Sequence, residues 1–196
     1  MKFLLTIVMT MMFCNNGCNN PFTAAERKII VSDEVMMRVT TIDNQADSTL
    51  LRRTSRPLRK KDVRSEEFTL LCKRMLATVQ DPENPGVGIA APQVGILRRL
   101  VAVQRFDKDG EPFEFYVNPQ ITEYGEPKEY GGEGCLSVPD QSGDVLRSQR
   151  ITIKYRDENF CEQTEVIEGF TAVIFQHEID HLDGILFIDR LEDDKE

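Results

Sequence analysis

The sequence predicts an α+β fold in which antiparallel β-sheets wrap a central helix. Three observations point there. Strand-like runs at residues 100–103, 113–117, 151–155 and 162–167 precede and surround two helical stretches. Few parallel crossover units are visible, which argues against a doubly wound sheet. The second helical stretch, Phe170 onward, is apolar at helical spacing until Gly184, a natural stop, and it carries both histidines of the chain.

A length of 196 residues suits one well-packed domain and is short for two. Hydrophobic content of 40% and charged content of 29% describe an ordinary soluble globular protein. The net charge of −9 argues against a nucleic-acid surface, so no direct nucleic-acid binding is expected. Five cysteines, at 14, 18, 72, 135 and 161, form no disulfide framework; free thiols and a metal ligand fit better than staples.

Taken in order, the chain opens with Lys2 and the uncharged, largely apolar run 3–13, too short to span a bilayer but suited to a signal-peptide core. Polar residues follow at once, and Gly17 before Cys18 resembles a bacterial lipoprotein cleavage site. Residues 1–18 are therefore expected to be a signal peptide or lipoprotein leader, with lipidation at Cys18 and export or membrane anchoring as the outcome. Residues 19–49 show no strong period and read as a tether with one edge strand at Ile29-Ile30-Val31. The domain is expected to span 50–196, opening on a basic, solvated segment at 50–61.

Ser65 caps a helix: Glu66 and Glu67 suit its positive end, and Phe68, Leu71, Cys72, Met75, Leu76 and Val79 make an apolar stripe. The glycines of Gly86-Val87-Gly88-Ile89-Ala90-Ala91-Pro92-Gln93 lack the Lys and Ser/Thr of a phosphate loop. They read instead as a tight backbone edge for a peptide. Lys108-Asp109-Gly110 is a hairpin turn, and Asn118-Pro119 ends the following strand. Residues 129–139 read as a glycine-rich loop around Cys135, residues 185–188 as a short strand, and 192–196 as a solvated acidic tail.

His177 and His181 are four apart, so one helical turn puts both imidazoles on one face, and Glu178 lies close enough to reach a water on a metal between them. His-Glu-x-x-His on an apolar helix thus points to a metal site. A buried helix whose imidazoles bond carbonyls is the plainer alternative, but it leaves Glu178, Asp180 and Asp183 unexplained. A catalytic site of this type needs a third ligand. No third histidine exists: Phe187 stands where a metzincin pattern requires one. Cys135, on a loop freed by glycines, is the strong candidate and Cys161 a poorer one. A Cys/His/His set suits zinc, iron(II) or related ions.

Three motifs in order, Gly86 to Gln93, Glu133-Gly134-Cys135-Leu136-Ser137, and Gln176-His177-Glu178-Ile179-Asp180-His181-Leu182, make the chain resemble the peptide deformylases over roughly residues 50–191. The resemblance implies hydrolytic removal of the formyl group from the N-terminal formyl-methionine of newly made polypeptides. It implies Cys135, His177 and His181 as ligands, iron(II) as the usual ion with zinc or nickel as substitutes, and Glu178 as general base. The Gln93 amide and the Leu136 N–H would stabilise the oxyanion, and Glu133 and Ser137 would support the ligands. Val87, Gly88, Val173 and Ile174 are expected to line a methionine pocket. Substrates would be formyl-Met peptides or nascent chains. The hydrophobic N-terminus departs from a family that works in the cytoplasm at the ribosome, which is the alternative location. The competing readings are an exported metallopeptidase or amidase of other specificity, and a structural metal protein closed by a fourth ligand.

Overall fold

Alternation along the strands builds the frame. In the computed structural model, which describes residues 21–191, β1 (Gly88–Ala90), β2 (Leu100–Gln104), β3 (Phe113–Tyr124), β6 (Arg150–Arg156) and β7 (Glu162–Glu168) form one antiparallel sheet in the order β1-β2-β3-β6-β7. β4 (Lys128–Cys135) and β5 (Val138–Ser148) make a separate hairpin. Side chains of β2 point alternately to two layers. Val101 and Val103 pack with Ala172, Phe175, Ile179 and Leu182 of helix α5 (Gly169–Leu182), while Leu100 and Ala102 pack with Leu71, Met75 and Val79 of helix α4 (Glu66–Val79). The sheet is thus covered on both faces, and α5 is buried along most of its length. It stops where expected, with Gly184 at φ +77° and so close to Arg52 that a Cβ would sit 2.5 Å from the Arg52 carbonyl oxygen.

Several local expectations give way. Ile29 and Ile30 end helix α1 (Ala24–Ile30) and are not an edge strand. Thr23 and Glu26 exchange hydrogen bonds, Glu26 N–H to Thr23 Oγ1 at 3.2 Å and Thr23 N–H to Glu26 Oε2 at 2.7 Å, and this capping box nucleates the turn. Residues 21–49 are not a tether. Phe22, Ile30 and Met37 belong to the core that holds Leu71 and Met75, and helix α2 (Gln45–Leu51) is capped by Asn44. The guanidinium of buried Arg74 donates to the carbonyls of Ile29, Ile30 and Met36 at 2.7, 2.8 and 3.0 Å. In the basic segment, Leu51 and Leu58 are buried, and helix α3 (Lys60–Val63) follows.

Asn118-Pro119 bends β3 without ending it. Asn118 takes φ +53°, its side chain bonds the backbone of Leu58 in both directions, and the strand resumes after a register shift. Residues 129–139 are the β4–β5 hairpin, with Gly131, Gly132 and Gly134 paired to Val145, Asp144 and Ser142. Glycine's weak strand preference hid it. Residues 185–188 form no strand; Phe187–Asp189 is a 3₁₀ turn in which Asp189 Oδ2 accepts from Leu186 N–H at 2.8 Å. The leader, Cys18 and the acidic tail lie outside the described residues. Among the described residues no helix is long and apolar enough to cross a membrane.

The packing of the N-terminal segment has a direct consequence. Ile30 is fully buried. Ile30→Ala is expected to lower unfolding free energy by about 2–5 kcal/mol, as other core truncations do. Urea denaturation checks this, and a change below half a kcal/mol would return the segment to the status of a tether.

Candidate metal centre

Helix α5 supplies two donors. His177 and His181 lie one turn apart with ring centroids 5.0 Å from each other. The third comes from the end of β4, where Cys135 pairs with Val138 just past a register shift in which β5 bulges at residues 139–141. Cys135 Sγ lies 3.2 Å from His181 Nε2, and donor atoms of Cys135, His177 and His181 all fall within 4.8 Å of one another. Two N–H groups steady the sulfur: Ser137 N–H at 3.4 Å and the Gln93 amide at 3.5 Å. The Ser137 hydroxyl has no protein partner, so its support comes through the backbone.

The imidazoles are held differently. His177 Nδ1 bonds Glu133 Oε2 at 2.7 Å, which leaves Nε2 for the cluster. Burial works to push His177 down, but Cys135 and the Glu133 carboxylate outweigh it and hold the ring up at about 10. Those surroundings favour a positive charge at this spot, which is what a divalent ion brings. Burial pushes His181 well below its ordinary value, so this ring is neutral and offers a lone pair. Glu133 is itself buried, which tends to raise its pKa, yet bonds from His177 and Arg147 hold it at about 2. Arg147 donates to Glu133 through Nε at 2.7 Å and Nη2 at 3.0 Å, and through Nη1 to Asp180 at 2.6 Å. Arg190 closes the chain on Asp180, also at 2.6 Å.

Glu178 is 4% exposed, one of its oxygens has no protein partner, and burial pushes its carboxyl up to about 7. It faces β1. A Cβ on Gly88 would lie 2.5 Å from Glu178 Oε1 and 2.8 Å from Ile174 Cγ2, so only glycine lets the strand pass. Gln93, in the 3₁₀ turn Ala91–Val94, accepts from Ala90 N–H at 2.8 Å through Oε1, which turns its amide nitrogen toward Cys135. A cleft of about 700 Å³ opens onto these groups, and Val87, Gly88, Leu136, Val173 and Ile174 line it. Every site residue expected from the sequence among the described residues is therefore brought together.

The sequence reading missed Arg147, the link from Glu133 to Asp180. No sequence signal marked it: in Val145-Leu146-Arg147 the structure exposes the leucine and buries the arginine, the reverse of their usual places. Phe170, at the cleft wall with its ring tilted 46° against Phe106 at 5.4 Å, was read only as helix.

Three soft or borderline donors, a buried carboxylate beside them and a cleft leading in define a metal-dependent hydrolase site. Comparison with known proteins is specific. The polypeptide deformylase family model matches residues 36–196. A peptide deformylase of Leptospira biflexa is 40% identical over 153 residues, covering 74% of this chain and 84% of that one. One from Chlorobium phaeovibrioides is 44% identical over 147 residues, covering 73% and 74%. Among solved structures, the actinonin-bound class I type b peptide deformylase of Acinetobacter baumannii superposes with a TM-score of 0.71 at 34% identity, covering 81% of this chain and all of that one. The Thermotoga maritima enzyme gives 0.70 at 35% identity, covering 81% and 99%. The chain belongs to the polypeptide deformylase family, enzymes that remove the N-terminal formyl group from new polypeptides.

The Gly88 contact is testable. Gly88→Ala must displace Glu178 or β1 by the better part of an ångström. Turnover of a formyl-methionyl peptide is expected to fall about a hundredfold with folding retained, the usual scale for such misplacement. Activity within threefold of the parent, with the far-UV spectrum unchanged, would show that the strand yields without cost.

Proposed function

We propose that this chain hydrolyses the formamide of N-formyl-methionyl peptides with a divalent ion held by Cys135, His177 and His181, releasing formate and a free N-terminal amine. The observation that carries the reading is the convergence of the three donors within 4.8 Å beside a buried carboxylate with an unpartnered oxygen. Iron(II) is the proposed resident ion, with zinc or nickel as substitutes, since one sulfur and two imidazoles suit these borderline ions. Such an ion supplies Lewis acidity, bringing the pKa of a water toward neutral and drawing charge from a carbonyl.

The protein's own groups do the rest. Glu178, poised near neutrality by burial, takes the proton of the attacking water and later delivers it to the departing amine. The Gln93 amide, fixed by Ala90, and the Leu136 N–H stabilise the negative charge that develops on the formyl oxygen. Glu133 orients His177, and Ser137 N–H steadies the sulfur. Val87, Val173 and Ile174 form an apolar wall for the methionine side chain, and the Gly88 backbone lets the peptide lie close.

Two variants separate binding from chemistry. Cys135→Ala is expected to lose both metal and turnover, whereas Glu178→Ala keeps stoichiometric metal and loses at least about a hundredfold in kcat, the lower range for a missing acid–base group. Metal content by elemental analysis, read beside formyl-Met-Ala-Ser hydrolysis, decides. Full metal in Cys135→Ala, or turnover within tenfold of the parent in Glu178→Ala, would sink the assignment.

Lys2, the apolar run 3–13 and the switch to Asn, Gly and Pro around Cys18 support a second proposal, that the enzyme is exported and anchored through lipid on Cys18. The alternative is a cytoplasmic enzyme acting on nascent chains at the ribosome. Cys18→Ala should move the protein from the membrane fraction to the soluble one with turnover unchanged. Native protein recovered uncleaved and soluble from the cytoplasm would overturn the anchor.

A further inference from the structure

The exposed apolar side chains are unevenly spread. Of the ten large ones among the described residues, Ile29, Val31, Val35 and Met36 fall within a single eight-residue stretch, and Val35 is 75% exposed. Tertiary contacts gather them. The carbonyls of Ile29, Ile30 and Met36 all accept from the Arg74 guanidinium, and Met37 N–H donates to Thr78 one turn further along α4. Residues 29–36 are thus a loop closed at its base, with Ile30 and Met37 in the core and the four apolar side chains outside it. Single surface hydrophobics are ordinary, whereas a gathered set of them marks an interaction site. The charge around the loop cancels, Arg27 and Lys28 standing against Asp33 and Glu34. Such a surface favours an apolar occupant over a charged one.

Resting on the proposal that Cys18 carries lipid, we propose that the loop 29–36 docks into the membrane that holds that lipid. Ile29, Val31, Val35 and Met36 then sit at the boundary between headgroups and acyl chains. The reach of the chain carries the inference. Phe22 already belongs to the core, and the described residues begin at Pro21. The link from Cys18 to Pro21 is three residues long, so whatever its course it spans at most about 11 Å. A domain of this length has a radius of gyration of roughly 16 Å. The link is shorter than the domain is deep, so an anchored molecule can neither stand clear of the bilayer nor turn freely. The surface beside Phe22 has to meet the membrane, and only helix α1, about 10 Å long, separates that point from the loop. Apolar side chains at such a boundary lie about 5–10 Å deep and reinforce an acyl anchor as a second signal.

The chain contains no tryptophan, so Val35→Trp places a single reporter in the loop. A Cβ on Gly95, in the turn after β1, would lie 3.3 Å from Ile29 Cδ1, so the loop is on the β1 side of the sheet. Val166→Trp puts the control reporter on β7, the opposite edge. Both valines are exposed, and neither change disturbs the core. The full-length, processed chain is reconstituted into phosphatidylcholine vesicles with and without brominated acyl chains, and acylation of Cys18 is read by mass spectrometry. Bromine is expected to quench the reporter at 35 at least about twofold, as contact with acyl chains at that depth requires, and to leave the reporter at 166 unchanged. The quenching should persist at high salt, because the loop carries no net charge for salt to screen. Acylated Cys18 with equal quenching at both positions, or with none at 35, overturns the docking and leaves the anchor standing. A blue-shifted reporter at 35 that bromine does not quench identifies a protein occupant, such as a second copy, and overturns it too. An uncleaved, unacylated chain removes the anchor, and this inference falls with it.

Discussion

Arg147 donates to Glu133 on β4 and to Asp180 on α5, and this shared guanidinium is the constraint on which the centre depends. The three donors come from two separate pieces of chain, a sulfur at the tip of a hairpin and two imidazoles on a helix, which Gln176 also joins through the backbone of Ser148. Taking an arginine and two carboxylates out of water costs several kcal/mol per ion, recovered only where the geometry satisfies them. Here all three are almost fully buried. Glu133 spends its second oxygen on both Arg147 and His177, so the ion pair that fastens the hairpin also sets the ring orientation. Arg190 pairs with Asp180 from the outside and completes its bonding. Hydrophobic residues could join the hairpin to the helix as firmly, but they could not also fix which nitrogen of His177 faces the cluster.

The segment once read as a tether performs a related task by backbone bonds. Met37 N–H donates to Thr78 of α4, Thr40 N–H to the Gln93 carbonyl at 2.8 Å, Thr40 Oγ1 to the Pro92 carbonyl at 3.0 Å, and Ile42 N–H to the Ser137 carbonyl at 3.0 Å. Six consecutive residues thus tie together α4, the turn that carries Gln93 and the hairpin turn that follows Cys135. Gln93 and Ser137 both donate to the sulfur, so the strap holds in place the two donors that surround it. Arg74 anchors the strap at its start through three carbonyls.

What the sequence made legible follows the strength of each local signal. The long helices announced themselves by period and caps, and His177, Glu178 and His181 by spacing on one of them. The continuous apolar run of β2 and the alternating strands β6 and β7 were equally plain. The hairpin was not, because Gly131, Gly132 and Gly134 belong by propensity to loops, and only pairing with β5 makes them strand. The N-terminal strap has no period because it contributes single residues, Phe22, Ile30 and Met37, to a core built elsewhere. Short connecting structure of that kind is decided by tertiary contacts. Cys135 could be singled out by elimination and by the family motif, whereas its position at the end of β4, opposite the bulge in β5, depends on the register of two strands.

Three buried polar atoms break the pairing rule where the chemistry is. Glu178 Oε2, His181 Nδ1 and the Ser137 hydroxyl are all buried without a protein partner, within one small region. Each such atom ordinarily costs about 1–3 kcal/mol, whereas Gln176 on the same helix, buried to a similar degree between Ala172 and Ser148, is fully paired. Glu178 shows why the exception is useful. A partner on its free oxygen would stabilise the ionised form and return the carboxyl toward its ordinary acidic value; burial without one lifts it to about 7, where accepting and returning a proton both remain accessible. Gly88 contributes to the same end from the strand side, since the absence of a side chain there lets an apolar backbone edge close over the carboxylate. The surrounding order is what permits this. A sheet packed on both faces, a strap and a buried ion-pair chain hold the region rigid enough that an unpaired carboxylate cannot relax toward water, so its altered acidity is a property of the fold and not of the helix that carries it.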